Sequence, residues 1–325
     1  MLLELAARRR ILFIGGKGGV GKTSTASAVA LQQARSGRRV LLVSTDPAHN
    51  LGHLWNRGVG DEPTILVEEA DGGLLSGVEI DPQATIDTHL EEVGRTLRDF
   101  MPDHLHRQVR AHLQLAAQSP GTHESAILER IAELSEQGLR EYDLLIFDTA
   151  PSGHTARLLA LPEIMSAWTE GLLQRRAKAE KFGAAIRALD GDDDPESVEG
   201  PHRDRRIRQV LTKRRTRFER LRTLVTDADQ CSFVIVLTAE RLPVLESVEL
   251  HAELTRLGVD VAGLVVNRIA PTDQGGFLAE QRALQEQHLA ELGRLLPGAQ
   301  IDTVPLLPGE LASPEAVRSL ADQLR

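Results

Sequence analysis

The chain has 325 residues, 41% hydrophobic and 26% charged, with a formal net charge of −9. That balance excludes disorder and fibrous folds and fits one large soluble domain or two small ones. An acidic chain with 3% aromatic residues and one cysteine, Cys231, is a poor match for nucleic acid held by stacking or bulk charge, and it cannot make an internal disulfide or, unaided, a zinc site.

In chain order, Met1–Arg10 places its arginines after a short apolar stretch and leads directly into a glycine loop, the reverse of a secretory signal. No apolar run approaches the ~18 residues of a membrane span. The expectation is a cytoplasmic protein that is not an integral membrane protein.

Ile11–Ile14 is the first of several short, nearly continuous apolar blocks, the pattern of strands buried on both faces. It runs into Gly16-Lys17-Gly18-Gly19-Val20-Gly21-Lys22-Thr23, which fits the G-x-x-x-x-G-K-[ST] phosphate loop between a strand and a helix over Thr23–Ser36. Glycines let backbone N–H groups wrap phosphates, and the helix offers its positive dipole end. Lys22 is expected on the β- and γ-phosphates and Thr23 on Mg²⁺, with Ser24 beside them in the ATP site. Of 38 basic residues only Lys17, Lys22, Lys178, Lys181 and Lys213 are lysine. Two of these fall in the loop, which suggests a need for a compact ammonium there.

Val40–Val43 reads as the second strand and delivers Ser44-Thr45-Asp46-Pro47-Ala48-His49-Asn50 to the edge where open α/β sheets bind nucleotides. Asp46 there can deprotonate an attacking water or hold the metal through water; an Asp before Pro also suits a plain turn. Gly77–Ile80 is a further strand candidate. Leu144–Phe147 ends in Asp148, placed to hold Mg²⁺ through its water shell, with Pro151 and Gly153 after it as parts of a switch loop.

Intervals of roughly 84–138 and 157–227 lack strand-like blocks and read as helical insertions forming a subdomain. The second holds an acidic Gly/Pro segment, Leu189–Asp204, and an Arg-rich amphipathic helix marked by Ile207, Val210, Leu211, Phe218, Leu221 and Val225. That helix either packs on the domain with a solvated basic face or meets phosphates of lipid or nucleic acid. Phe233–Leu237, Val261–Val266 and the weaker Ile301–Val304 complete the strands, with a helix over Leu245–Leu257. The expected fold is a single α/β P-loop NTPase domain over 1–325, a parallel twisted sheet flanked by helices with the helical subdomain inserted.

Four motifs in order, GGKGGVGKTSTA, STDPAHNL, SPGTHESA and DTAPSGHTARLLALP, make the chain from about residue 10 to 320 resemble the arsenical pump-driving ATPases and the guided-entry ATPases for tail-anchored proteins. The resemblance implies Gly15–Thr23 as the nucleotide loop, Asp46 as hydrolytic aspartate and Asp148 as switch II metal aspartate. It implies Lys17 as a lysine reaching the nucleotide of a partner subunit, and therefore a homodimer. Gly121 and Glu124 match the family's PG-x-x-E loop. Asn50 and Glu240 become nucleotide contacts, Asn267 the reader of adenine, and Pro305, within Val304–Leu307, part of the loop over the base.

Cofactors so implied are ATP and Mg²⁺. ATP is favoured over GTP because no N-K-x-D sequence is evident. Zinc is not expected, since Asp273–His288, where relatives carry Cys-x-x-Cys, has no cysteine; Glu286 and His288 read as surface residues of a helix. The expected function is ATP-driven switching of the helical subdomain for a client with a hydrophobic segment or for a membrane permease. Energising an arsenite or anion efflux pump, and partitioning-type scaffolding on DNA or membrane, are the alternatives.

Overall fold

The computed structural model describes residues 1–46, 50–88, 91, 122–150 and 199–324. Two compact units divide the chain: Met1–Asp81 with Leu134–Leu159 and Leu224–Arg325, and Pro82–Glu133 with Ala160–Thr223.

The first unit is built on eight strands: β1 (Ile11–Gly15), β2 (Arg39–Ser44), β3 (Thr64–Glu68), β4 (Leu74–Glu79), β5 (Leu144–Asp148), β6 (Cys231–Thr238), β7 (Val261–Ile269) and β8 (Ile301–Pro305). Their order in the sheet is β3-β4-β2-β5-β1-β6-β7-β8. Every neighbouring pair is parallel except β3 with β4. This is the α/β architecture that the alternating apolar blocks and helices predict. The parallel strands end on one edge, with β1 between β5 and β6, so their following loops converge there.

Alternation along each central strand divides the core in two. Leu12, Ile14, Leu42, Ile146, Val234 and Val236 join Ala26, Val29 and Ala30 of helix Lys22–Arg35 in one buried cluster. Phe13, Leu41, Phe147, Phe233 and Ile235, all at most 1% exposed, form the other face. There Phe13 stacks on Phe147 with centroids 4.9 Å apart and on Phe233 at 6.4 Å, because parallel register sets the three side by side on β5, β1 and β6. Helix Thr122–Glu141 reaches this face through Gly138, where a Cβ would press on Leu145.

Three elements differ from the sequence reading. β3 was not anticipated: only Leu66 of its five residues is buried and Ile65 is 52% exposed, so this antiparallel edge strand lacks the continuous apolar run. The strand expected at Gly77–Ile80 begins earlier, at Leu74, and ends at Glu79. Cys231 opens β6 instead of preceding it, and it is fully buried. A short helix, Leu2–Arg8, also packs Leu2 and Ala6 into the first cluster.

Helix Glu199–Val225, whose residues up to Thr223 belong to the second unit, contains the predicted Arg-rich stretch. Phe218 and Leu221 are buried, Lys213, Arg220 and Arg222 are exposed, and Arg217 pairs with Glu133 of helix Thr122–Glu141 at 3.6 Å. The predicted apolar positions Ile207, Val210 and Leu211 have side chains outside the described set, as do Gly121, Pro151, Gly153 and the acidic residues 189–198. Among the described residues no helix is long and apolar enough to cross a membrane.

Candidate active site

β1 ends in Gly15, and the chain turns at once through Gly16 at φ +147°, Gly19 at +80° and Gly21 at +95°. Gly16 cannot be replaced without rearrangement: a Cβ there would overlap the Val236 carbonyl oxygen of β6. Helix Lys22–Arg35 then starts with Gly21 in the left-handed region as its N-cap, no capping side chain, and no acid in its first turn. Its leading N–H groups thus keep their capacity for an anion.

Four predicted side chains gather at this helix start. Thr23 Oγ1 donates to Asp148 Oδ2 at 2.6 Å. Lys22 Nζ donates to the Lys17 carbonyl at 3.1 Å, closing the loop on itself. Asp46 follows β2, its N–H donating to Ser44 Oγ at 3.3 Å, and its charge acts on both Lys22 and Asp148. Hydrogen bonds fix the two carboxylate loops to each other, since Thr45 N–H donates to Asp148 O at 2.9 Å and Ala150 N–H to the Thr45 hydroxyl Oγ1 at 3.1 Å.

Asp148 is 1% exposed. Burial pushes its carboxyl up to about 7, Asp46 adds to the rise, and the Thr23 hydrogen bond and the Lys22 charge act against it. Burial also lowers the Lys22 ammonium, with Asp148 and Asp46 pulling it back up. Asp148 Oδ1 is buried with no hydrogen-bond partner, an acceptor left over for a water or a cation. Among the described residues no three His, Cys, Asp or Glu side chains converge. A hydroxyl and one carboxylate oxygen, completed by phosphate and water, are nevertheless the donor set that Mg²⁺ takes in nucleotide sites. The residues present fit that ion.

A pH dependence follows. The Asp148 carboxyl binds its proton more tightly in the folded protein than at its ordinary value of 3.8. Its contribution to stability is therefore complete below about pH 4 and lost as pH rises to about 7. Without nucleotide and metal, the thermal midpoint is expected to fall by a few degrees between pH 5 and pH 8, and Asp148→Asn to flatten that slope. An equally steep slope in the variant would exclude Asp148 as its source.

The remaining predicted residues divide by location. Asn267, in β7 and 2% exposed, donates from Nδ2 to the Val20 carbonyl at 2.9 Å and accepts the Arg268 N–H on Oδ1, also at 2.9 Å. It braces the phosphate loop from behind, and Arg268 beside it adopts φ +60°. Glu240 is the N-cap of helix Arg241–Arg256, without a side-chain capping bond, and Pro305 ends β8. Asn50 opens helix Asn50–Trp55, and Glu124 lies in the first turn of helix Thr122–Glu141. Glu286 is exposed and pairs with Arg282, whereas His288 is half-buried on the same helix, Gly276–Leu295.

Sequence reading passed over several supporting residues. Glu79, 4% exposed at the end of β4, accepts the Leu51 N–H at 2.8 Å and the Gly52 N–H at 3.1 Å, fixing helix Asn50–Trp55 just after Asp46. Trp55 Nε1 donates to Ser27 Oγ at 3.2 Å, joining that helix to the phosphate-loop helix. Gln285 accepts the Ala270 N–H and donates to the Arg268 carbonyl, setting the turn after Asn267. An acid closing a strand, as at Asp148, was the one available signal for Glu79; Gln285 carried none.

Against known families, residues 9–325 match the one described as anion-transporting ATPase. The chain belongs to that family. As a member of it, the protein is an ATPase. It is 30% identical to ATPase ASNA1 homolog 2 of Paramecium tetraurelia, over 96% of this chain and 92% of that protein. Likeness to ATPase GET3 of Malassezia globosa is 32%, over 96% and 90% respectively. For ATPase get3 of Aspergillus terreus it is 29%, over 97% and 90%.

Proposed function

We propose that this ATPase binds ATP with Mg²⁺ at the C-terminal edge of its sheet and acts as a homodimer with nucleotide at the interface. Hydrolysis switches the inserted helical unit, which handles a client carrying a hydrophobic segment, in the manner of guided-entry targeting. The observation that carries the chemistry is the uncapped, acid-free helix start at which Lys22, Thr23, Asp46 and Asp148 meet. The client side rests on the four ordered motifs and the near full-length likeness to the named ATPases.

In this reading the loop N–H groups and Lys22 grip the β- and γ-phosphates. Lys22 exchanges the Lys17 carbonyl for phosphate oxygens, so binding opens no uncompensated charge. Asp46 orients the attacking water and accepts its proton. Thr23 and, through water, Asp148 would hold Mg²⁺, which when bound would supply charge neutralisation on the phosphates. Asn267 keeps one N–H on Nδ2 and one lone pair on Oδ1 beyond its internal bonds, enough for the adenine edge, with Glu240 and Pro305 bordering the nucleoside.

Contacts at Asp46 and Asp148 that exist only with γ-phosphate present reweight two conformations when phosphate leaves. Metalloid triggering through the one cysteine is disfavoured, because Cys231 is fully buried and burial pushes its thiol far up, leaving no thiolate.

The test mixes purified protein with a labelled peptide bearing a single apolar helix of about 20 residues and follows co-sedimentation. Capture with ATP and Mg²⁺, and release after hydrolysis, is expected. Peptide ignored in every nucleotide state would remove the client from this reading and leave the ATPase.

A further inference from the structure

The phosphate loop carries two lysines that point to different tasks. Lys22 Nζ lies inward, 6% of the residue exposed, and holds the Lys17 carbonyl. The Lys17 side chain, by contrast, is part-exposed and donates to Glu246 Oε1 at 2.6 Å. Glu246 lies on helix Arg241–Arg256, which follows β6, the strand paired with β1.

Stability does not account for this pair. Both side chains are about two-fifths exposed, at 41% and 39%, and such ion pairs contribute little. The other carboxylate oxygen, Glu246 Oε2, is buried without a hydrogen-bond partner, which is unfavourable by itself. The geometry fixes a long, flexible ammonium in one direction, and an ammonium with one N–H on Glu246 keeps two for other acceptors. Leu242, one helical turn before Glu246, is 63% exposed, and Leu245 is 38% exposed. The helix that meets the lysine therefore also carries exposed apolar side chains.

We propose that Glu246 is a positioning residue. It holds Lys17 extended away from its own phosphate loop, with two N–H groups available for phosphate oxygens of nucleotide bound to a second copy of this chain. The inference rests on the homodimer reading above and adds the group that aims the lysine. Preorientation of this kind removes rotamer entropy before the subunits meet.

The experiment measures steady-state ATP turnover and ATP-dependent dimerisation by sedimentation for Glu246→Ala, Glu246→Gln, Lys17→Ala and the Lys17→Ala/Glu246→Ala double variant. Glu246→Ala is expected to lower kcat about 10-fold and weaken ATP-dependent dimerisation by a similar factor, with ADP affinity of the monomer unchanged. Glu246→Gln, which keeps an acceptor, should recover part of both, and the double variant should match Lys17→Ala. Normal turnover and dimerisation in Glu246→Ala, with Lys17→Ala impaired, would overturn this inference alone. A double variant worse than Lys17→Ala would overturn it too, since Glu246 would then act by another route. Lys17→Ala behaving as wild type would instead bring down the homodimer reading beneath it.

Discussion

Asp46→Asn is expected to lower ATP turnover by about 10²-fold or more while sparing ATP binding. The substitution keeps the side chain's size and its backbone setting, in which the Asp46 N–H bonds Ser44 Oγ, but removes the group able to take a proton from water. On the proposed reading binding survives, because the loop and Lys22, not Asp46, would grip the phosphates. Loss of one negative charge near Lys22 and Asp148 should hold nucleotide slightly more tightly. Single-turnover hydrolysis beside fluorescent ATP binding separates the two effects. Near-normal turnover in this variant would take Asp46 out of the chemistry.

Lys22→Ala should reduce ATP affinity by about 10²- to 10³-fold, the scale for truncating one member of a buried, hydrogen-bonded charge pair. Two losses combine. The phosphates lose their ammonium, and Asp148, already raised to about 7 in the presence of Lys22, loses the positive charge that favours its ionised form. Proton and cation then compete at that carboxyl more strongly in the proton's favour, so the defect should deepen as pH falls from 8 to 6. Titration calorimetry at both values checks this. An affinity within threefold of wild type would refute the assignment of Lys22 to the phosphates.

Local residues carried much of this arrangement into the sequence. The glycines at 16, 19 and 21 adopt backbone angles or close approaches that side chains resist, so their spacing announces the loop. Asp46 and Asp148 end apolar runs, and parallel pairing brings such run-ends to one edge. What stayed hidden is tertiary. Glu246 lies 229 residues from Lys17, and Gln285 reaches the turn after Asn267 from a helix whose pattern gives no hint of it. β3 was missed because an edge strand with one buried residue has no strong period, and its pairing with β4 decides its conformation. For Asn267 the sequence pointed to this end of the sheet, while its grip on the Val20 carbonyl became visible only in three dimensions.

The stacked rings of Phe13, Phe147 and Phe233 have a mechanical meaning. The chain has seven phenylalanines, and these three clamp together the strands that carry the phosphate loop, Asp148 and the approach to Glu240. Buried and matched in register across β5, β1 and β6, the rings brace the middle of the sheet against sliding of one strand past the next. In the switching proposed above, a central sheet braced in this way would serve as the fixed support, and movement on phosphate loss would fall to parts of the chain outside it.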